Sequence, residues 1–473
     1  MHITRVIVCI LAAAAIGGCA SRPVNERITQ VDPKSGYRPY LLIPKRKNND
    51  QSTLFVMSFS GGGTRAAAFS YGVLEELRRT EIVMNGQRRR LLDEVDLITG
   101  VSGGSFTALS YALYGDRLFD EYEQRFLKRD VEGELLSRAL NPFNWWKYIG
   151  GSAGRSELAA ELYDEILFEG ATFADLLDKQ TPVAIATGTD ISTGSRLAFF
   201  QNDFDLLCSD LNSVRLSRAA ATSSAVPVVL SALTYDNYGG TCGYRYPGWF
   251  EDVTKTEGRA RPTARAFQRY LEMESFQNSK DRPYIHLVDG GVSDNIGVRG
   301  IIETLEDLGA SAKFRGEVGF GVVRRIVILV VNSRSSPKTD WDKEESPPGI
   351  VGQLLQSTGV PIDRYSFETV EMLKDRAEIM KWRRELLVAR ARLAGKSEAE
   401  AEASVPKITI QVVDVAFDAI REPKERQYFL DLPTSFVLTA EQVDRLREVA
   451  GRLLRASPDY QALVREMGGT PAK

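Results

Sequence analysis

The sequence predicts an α/β protein: a three-layer α/β/α domain on a mainly parallel central sheet, followed by a C-terminal α+β extension. Three observations point there. From residue 54 onward, short apolar runs alternate with helical periods, the pattern of strands buried on both faces and joined by helices. Two of those runs lead directly into glycines and then into a helix-like stretch, as strand-to-helix turns do. Beyond Asn332 the texture changes to one long helical period, an alternating segment and a last capped helix. The 473 residues are 43% hydrophobic, ample for a sizeable core. With 60 Lys+Arg against 63 Asp+Glu, the net charge of -3 lacks the cationic excess that phosphate backbones demand, so no nucleic-acid partner is expected.

The N-terminus has the layout of an export signal. Arg5 supplies the positive start, and residues 6–16 form an apolar run too short to span a bilayer. Ile16, Gly17, Gly18 and Cys19 then resemble the lipobox of bacterial lipoproteins, in which the cysteine is lipidated and becomes the mature N-terminus. That resemblance implies a signal over 1–18, a lipid anchor at Cys19 and a membrane partner through it. The next residue, Ala20, is not the aspartate that retains such proteins at the inner membrane. The expected location is therefore the bacterial cell envelope, at the outer membrane facing the periplasm. Residues 19–50, polar and proline-containing, read as a tether. The remaining cysteines, Cys208 and Cys242, are an even pair in an oxidising compartment. A disulfide and two buried thiols both fit, because the sequence does not supply their separation.

The main domain is expected over 51–335. Strands are expected at 54–57, 95–99, 182–187, 284–288 and 326–331, with helices over 66–79 and from 105 onward. The extension, 336–473, is expected to pack on the same domain. A helical period over 364–394 puts Val370, Leu373, Ala377, Met380 and Leu387 on one face and Lys374, Lys381, Arg383, Arg384 and Arg390 elsewhere, to be read either as a solvated helix or as a basic face for anionic lipid. Residues 408–412 alternate like a strand. Thr439 and Gln442 make a capping box that opens a final helix through Val443, Leu446 and Leu453.

Chemistry is constrained by scarcity: only His2 and His286 are histidines, so an imidazole base or a multi-histidine metal site has almost nothing to draw on. Gly100, Val101, Ser102, Gly103 and Gly104 form a G-x-S-x-G sequence between a strand and a helix, the setting of a nucleophile elbow. The same pattern recurs at Gly150, Gly151, Ser152, Ala153 and Gly154, but without a clean strand before it, so Ser152 reads as a loop serine. Gly61, Gly62, Gly63, Thr64 and Arg65 form a second strand-to-helix turn whose backbone N–H groups suit an oxyanion, although a tight turn needs glycine for structural reasons alone. It lacks the P-loop spacing. His286 lies mid-strand and reads as a packed histidine, not a base on a late loop. Asp289, followed by Gly290 and Gly291, stands at the carboxyl end of that strand, where open α/β sheets place ligands. Asp-Gly is also an ordinary turn signal. Taken with Ser102 and the lack of histidine, it reads as the second half of a Ser-Asp dyad.

Together these segments resemble the patatin-like phospholipases and acyl hydrolases. The glycine loop, the Ser102 elbow and Asp289-Gly290-Gly291 stand in that family's order. The segment from Ala220 through Ser223 to Pro227 is similar to a fourth block, and that from Thr189 and Asp190 to Gly194 is similar to its Thr-Asp-x-x-Thr-Gly segment. The resemblance covers about residues 53–300. It implies a serine acyl-ester hydrolase of phospholipase A or lysophospholipase type, acting on phospholipid or another acyl-ester lipid. In that reading Ser102 is nucleophile, Asp289 is base and the oxyanion hole lies around Gly61, Gly62, Gly63 and Arg65, with Arg65 bracing the loop. After Asp289 the chain departs from the plant pattern through Val292, Ser293, Asp294 and Asn295, which bears on the acyl pocket. No metal or cofactor is implied. Two alternatives remain: a non-catalytic envelope lipoprotein that binds lipid or acts as a scaffold, and an acyltransferase with the same dyad. Phe143, Trp145, Trp146 and Tyr148 read either as an insertion's own packing or as a membrane entry surface.

Overall fold

The computed structural model describes residues 22–47, 49–84, 86–141, 154–227, 229–248, 264–310, 322–336, 339, 341–405 and 408–471. The signal segment with Cys19, Ser152 and the aromatic group at 143–148 lie outside the described residues.

Ten strands are present among them: β1 (Thr53–Phe59), β2 (Glu81–Met84), β3 (Gln87–Arg90), β4 (Val95–Gly100), β5 (Val183–Asp190), β6 (Arg196–Ala198), β7 (Leu233–Asp236), β8 (Tyr284–Asp289), β9 (Arg325–Asn332) and β10 (Thr409–Ala416). The helices that matter for the site are α1 (Gly63–Arg79), α2 (Gly103–Tyr114), α3 (Leu216–Ser223), α4 (Ala264–Gln277), α5 (Arg299–Ala310), α6 (Ile350–Leu393), α7 (Glu398–Ser404) and α8 (Ala440–Ala456). The main sheet runs β10-β9-β1-β4-β5-β8-β7, with β6 also paired to β5. From β10 to β5 every pairing is parallel.

Both faces of that parallel half are covered, which explains its continuous apolar runs. On β1, Phe55, Met57 and Phe59 enter one core while Val56 enters the other. On β9, Val327, Leu329 and Val331 alternate in the same way with Ile326, Ile328 and Val330. The larger core takes residues from α1, α2 and α8; the smaller takes Ile301, Ile302 and Leu305 of α5 with Val370 and Leu373 of α6. These are the three expected layers.

The sequence did not reveal that the sheet changes direction at β5. This strand continues past the end of β4, and β8 pairs with its extension antiparallel: Gly188 opposite Asp289 and Asp190 opposite Leu287. β7 then pairs antiparallel with β8, and β6 antiparallel with β5.

Residues 22–50 were expected to form a tether, and the described part instead lies against the domain. Arg22 pairs with Asp236 at 2.7 Å, Arg38 with Asp205 at 2.7 Å, and Arg46 with Asp96 at 3.3 Å. Tyr37 is fully buried, its hydroxyl between the main-chain groups of Ala184. Residues past 405 add β10 to the sheet edge and lay α8 over α1, where Gly72 lets the Arg447 backbone approach closely. The Thr439 and Gln442 capping box forms. In α6 the inner face takes Val388, and Leu387, expected inside, is exposed. Cys208 and Cys242 are joined as a disulfide.

Candidate active site

Adjacent parallel strands β1 and β4 end side by side, and each turns at once into a helix, α1 or α2. The two turns pack back to back, and their glycines are the reason they can. A β-carbon on Gly103 would sit 2.0 Å from the Gly63 carbonyl oxygen, and one on Gly104 would sit 2.6 Å from the Ser60 carbonyl oxygen. Ser102 occupies the crest of the second turn with φ 49 and ψ -122, a conformation that costs an L-residue about 1–3 kcal/mol and clusters at functional sites. It is held there by neighbours: its N–H donates to Ser223 Oγ at 2.9 Å and its carbonyl accepts from Ser105 Oγ at 2.6 Å.

The glycine loop is fastened equally firmly. Ser60 Oγ and Ser333 Oγ lie 3.0 Å apart, and Ser333 Oγ donates to the Gly61 carbonyl at 3.0 Å. Gly61 gives its own N–H to the Asn295 carbonyl at 3.0 Å, so this expected oxyanion donor is already committed. Gly62 and Gly63 take φ of +139 and +59, and among the described residues neither N–H meets an acceptor. The same holds for Gly103, the first N–H of α2. Arg65, grouped with the oxyanion hole and expected to brace the loop, braces it and is not among the free donors. Buried in the fold, its guanidinium donates to the Ser333 carbonyl at 2.8 Å, the Leu432 carbonyl at 2.5 Å and Thr434 Oγ1 at 3.0 Å. Burial lowers its pKa to about 10. Together with the Thr64 N–H to Ser435 carbonyl bond at 2.9 Å, it straps residues 432–435 over the loop.

Asp289 arrives from the far side of β5. Because β8 runs back along the β5 extension, its last residue lies opposite Gly188, just past the Ala186 that pairs with the end of β4, although its direction is opposite to that of the parallel strands. The carboxyl-end argument that singled out Asp289 therefore led to a residue beside the elbow by a route the sheet does not follow. Its N–H donates to the Ala225 carbonyl at 3.0 Å, and that of Gly290 to the Ser223 carbonyl at 3.1 Å. The end of α3 and the two residues after it thus fix both the elbow and the aspartate. One Asp289 oxygen accepts the Gly291 N–H at 2.7 Å. The Ser102 hydroxyl reaches the same carboxyl. Burial raises the Asp289 pKa to about 6, while the Gly291 and Ser102 hydrogen bonds hold it down. Both side chains are buried, with 4% and 6% exposure for Ser102 and Asp289.

Residues 57–302 match the family described as patatin-like phospholipase. The chain belongs to that family. It is a lipid acyl hydrolase. A comparison with curated proteins gave no match. Among solved structures, human GIVD cytosolic phospholipase A2 aligns at 12% identity over 95% of this chain and 68% of its own, with a TM-score of 0.48. The same enzyme in complex with methyl gamma-linolenyl fluorophosphonate and terbium chloride aligns at 12% identity over 95% and 66%, with a TM-score of 0.42. VipD from Legionella pneumophila aligns at 10% identity over 90% and 71%, with a TM-score of 0.24. The chain thus spans about two thirds of these human structures.

The glycine loop, the Ser102 elbow and Asp289 lie near one another, and the Arg65 side chain faces the strap. His286 does not pack as expected: it is exposed, with Nδ1 2.9 Å from Thr234 Oγ1. Thr189 Oγ1 donates to the Asp289 carbonyl at 2.9 Å, while Asp190 pairs with Arg282. Ser223, Ser333 and Asn295 as loop-fixing residues were missed. Each lies more than 100 residues from at least one group it holds, beyond any local pattern. A cavity of about 400 Å³, lined by Leu54, Val56, Leu97, Ile185 and Ile301 among others, lies on the α5 side of the sheet, and neither Ser102 nor Asp289 borders it.

Proposed function

We propose that the protein is a serine acyl-ester hydrolase of phospholipase A or lysophospholipase type that works through a Ser102-Asp289 dyad and an acyl-enzyme intermediate. The observation that carries this reading is Ser102, held at a strained turn on a helix start, beside the buried carboxyl of Asp289, whose pKa burial raises. Ser102 Oγ attacks the ester carbonyl and its proton passes to Asp289. The N–H groups of Gly62, Gly63 and Gly103 hold the developing oxyanion, each good donor contributing about 3 kcal/mol. Asp289 returns the proton to the leaving alcohol or lysolipid. Water, deprotonated by the same carboxylate, then releases the fatty acid. A carboxyl of pKa near 6 is a stronger base than an ordinary aspartate yet still ionised at neutral pH.

We further propose that Cys19 carries the lipid that holds the enzyme in the bacterial envelope, at the outer membrane. The lipobox-like sequence supports this, as does the disulfide, which belongs to an oxidising compartment.

The test is fluorophosphonate labelling of the full chain, mapped by mass spectrometry and paired with ester and phospholipid turnover. Label on Ser102, with turnover lost in Ser102→Ala and Asp289→Asn, is the expected result. A folded protein with neither label nor turnover would overturn the dyad. Cys19→Ser is expected to release the protein from the membrane fraction, and an unchanged lipid-modified mass would remove the anchor.

A further inference from the structure

We propose that the outward face of α6, between Ile379 and Leu393, docks the protein onto an anionic lipid surface, a contact separate from any lipid attached at Cys19. With 44 residues, α6 is about 66 Å long, whereas the eight residues of β10 cover about 26 Å. Its middle packs on the sheet edge through Val370 and Leu373, and Lys374 Nζ reaches Asp414 at 3.1 Å. Farther along, the inner side is held by buried Val388 and by Arg384 paired with Glu402 of α7.

The opposite side exposes large apolar residues with Arg390 among them. Ile379, Trp382, Leu386 and Leu393 follow one another at intervals of three, four and seven, which places them on one helix face. They are 50%, 63%, 53% and 89% exposed, where a helix facing only water would carry polar side chains. No described helix is long and apolar enough to cross a membrane, so this face would lie on a surface.

Charge selects the occupant. Residues 379–393 hold five cations, Lys381, Arg383, Arg384, Arg390 and Arg392, and one anion, Glu385, a local net of +4 in a chain whose total is -3. Arg384 and Arg392 pair with Glu402 and Glu398, whereas Lys381, Arg383 and Arg390 make no ion pair among the described residues. A second copy docking through the same face would bring like charge against like charge. An anionic bilayer takes the tryptophan and leucines at its interface and the cations at its headgroups. The other half of α6 passes the Asp289 turn: Asn295 Nδ2 lies 3.4 Å from Ser366 Oγ and Arg299 stacks on Tyr365. Ser366 and Trp382 are 16 residues apart, about 24 Å along the helix, so docking would hold the catalytic end near the lipid.

The test uses the full chain and reads residue 382 itself. Tryptophan emission is measured with vesicles of phosphatidylcholine carrying brominated acyl chains, with and without phosphatidylglycerol. The expected result is quenching that requires phosphatidylglycerol, weakens with salt and loses its main component in Trp382→Phe. Arg383→Glu with Arg390→Glu is expected to weaken the phosphatidylglycerol-dependent quenching roughly tenfold or more, with hydrolysis of a short soluble ester unchanged as the check on folding. Equal quenching in wild type and Trp382→Phe, or quenching indifferent to phosphatidylglycerol, overturns the proposal. Self-association or binding of an acidic protein through this face, without vesicle quenching, overturns it too. Loss of ester hydrolysis in Ser102→Ala is read separately, so failure of the docking surface and of the dyad are distinguishable.

Discussion

Replacing Asp289 with asparagine removes a buried charge and little else. The amide oxygen can still accept the Gly291 N–H, and the amide nitrogen can donate to Ser102 Oγ. Burial lifts the wild-type carboxyl from its ordinary 3.8 to about 6. At roughly 1.4 kcal/mol per pH unit, ionising it inside the fold costs about 3 kcal/mol more than ionising it in the unfolded chain. The sign follows from the direction. Below 3.8 both states hold the proton, and its contribution is fully present. Between 3.8 and about 6 the native state keeps a proton that the unfolded chain has released, so stability falls as pH rises. Above about 6 the loss is complete. The variant has no such titration. Urea unfolding of the two proteins across this window is expected to give similar midpoints at its acidic end and a variant more stable by up to about 3 kcal/mol above it. Ester turnover by the variant is abolished throughout. A stability difference that does not change with pH would refute the buried-base reasoning, as would a variant less stable than wild type at neutral pH.

The same titration predicts that wild-type kcat/KM falls as pH drops below about 6, because the base becomes protonated; a flat profile on a soluble ester down to pH 5 contradicts it. Gly103→Ala places a methyl group 2.0 Å from the Gly63 carbonyl oxygen, so the two turns must part; loss of fluorophosphonate labelling and destabilisation by about 3 kcal/mol are expected by denaturation. Arg65→Met leaves two carbonyls and the Thr434 hydroxyl without their donor, which is expected to cost about 3 kcal/mol and to open residues 432–435 to limited proteolysis. Cys208→Ser with Cys242→Ser releases a disulfide spanning 34 residues and is expected to lower stability by roughly 4 kcal/mol in the same assay.

What was legible in the sequence was whatever a local pattern encodes. Strands buried on both faces are runs such as Ile326 to Val331, and a strand that turns straight into a helix needs the glycines seen at 61–63 and 103–104. Strand direction is not local. Nothing in residues 284–289 announces that β8 runs against β5, because that depends on how the chain travels between them. The packing of residues 22–50 was hidden for a related reason: a short polar segment looks like a tether until its arginines are seen to meet Asp236, Asp205 and Asp96, each far along the chain. Val388 takes the buried place expected of Leu387 because it lies 18 residues, five full turns of 3.6, beyond buried Val370. Arg65 was expected to brace the glycine loop and does so, but its partners, the carbonyl oxygens of residues 333 and 432, lie too far along the chain for any local pattern to name them.

The proposed dyad requires a serine to act without a histidine. An imidazole would stand between serine and carboxylate and reach across a gap; here the antiparallel return of β8 brings the carboxyl to the serine directly. That arrangement asks two things of the fold. The carboxyl must be buried enough to become a useful base, and the strand end bearing it must not drift away from the elbow. Burial supplies the first at the cost of stability that Asp289→Asn would recover. The segment 223–225 supplies the second, since Ser223 Oγ holds the Ser102 N–H while the carbonyls of Ser223 and Ala225 hold Gly290 and Asp289. Ser223→Ala therefore separates positioning from chemistry. It keeps both carbonyls and removes only the bond to Ser102, so kcat is expected to fall by roughly tenfold, the effect of about 1.4 kcal/mol of lost positioning. The acid limb near pH 6 stays where it is, because Asp289 keeps its own surroundings. An acid limb that moves with the substitution would instead mean that Ser223 acts on the base.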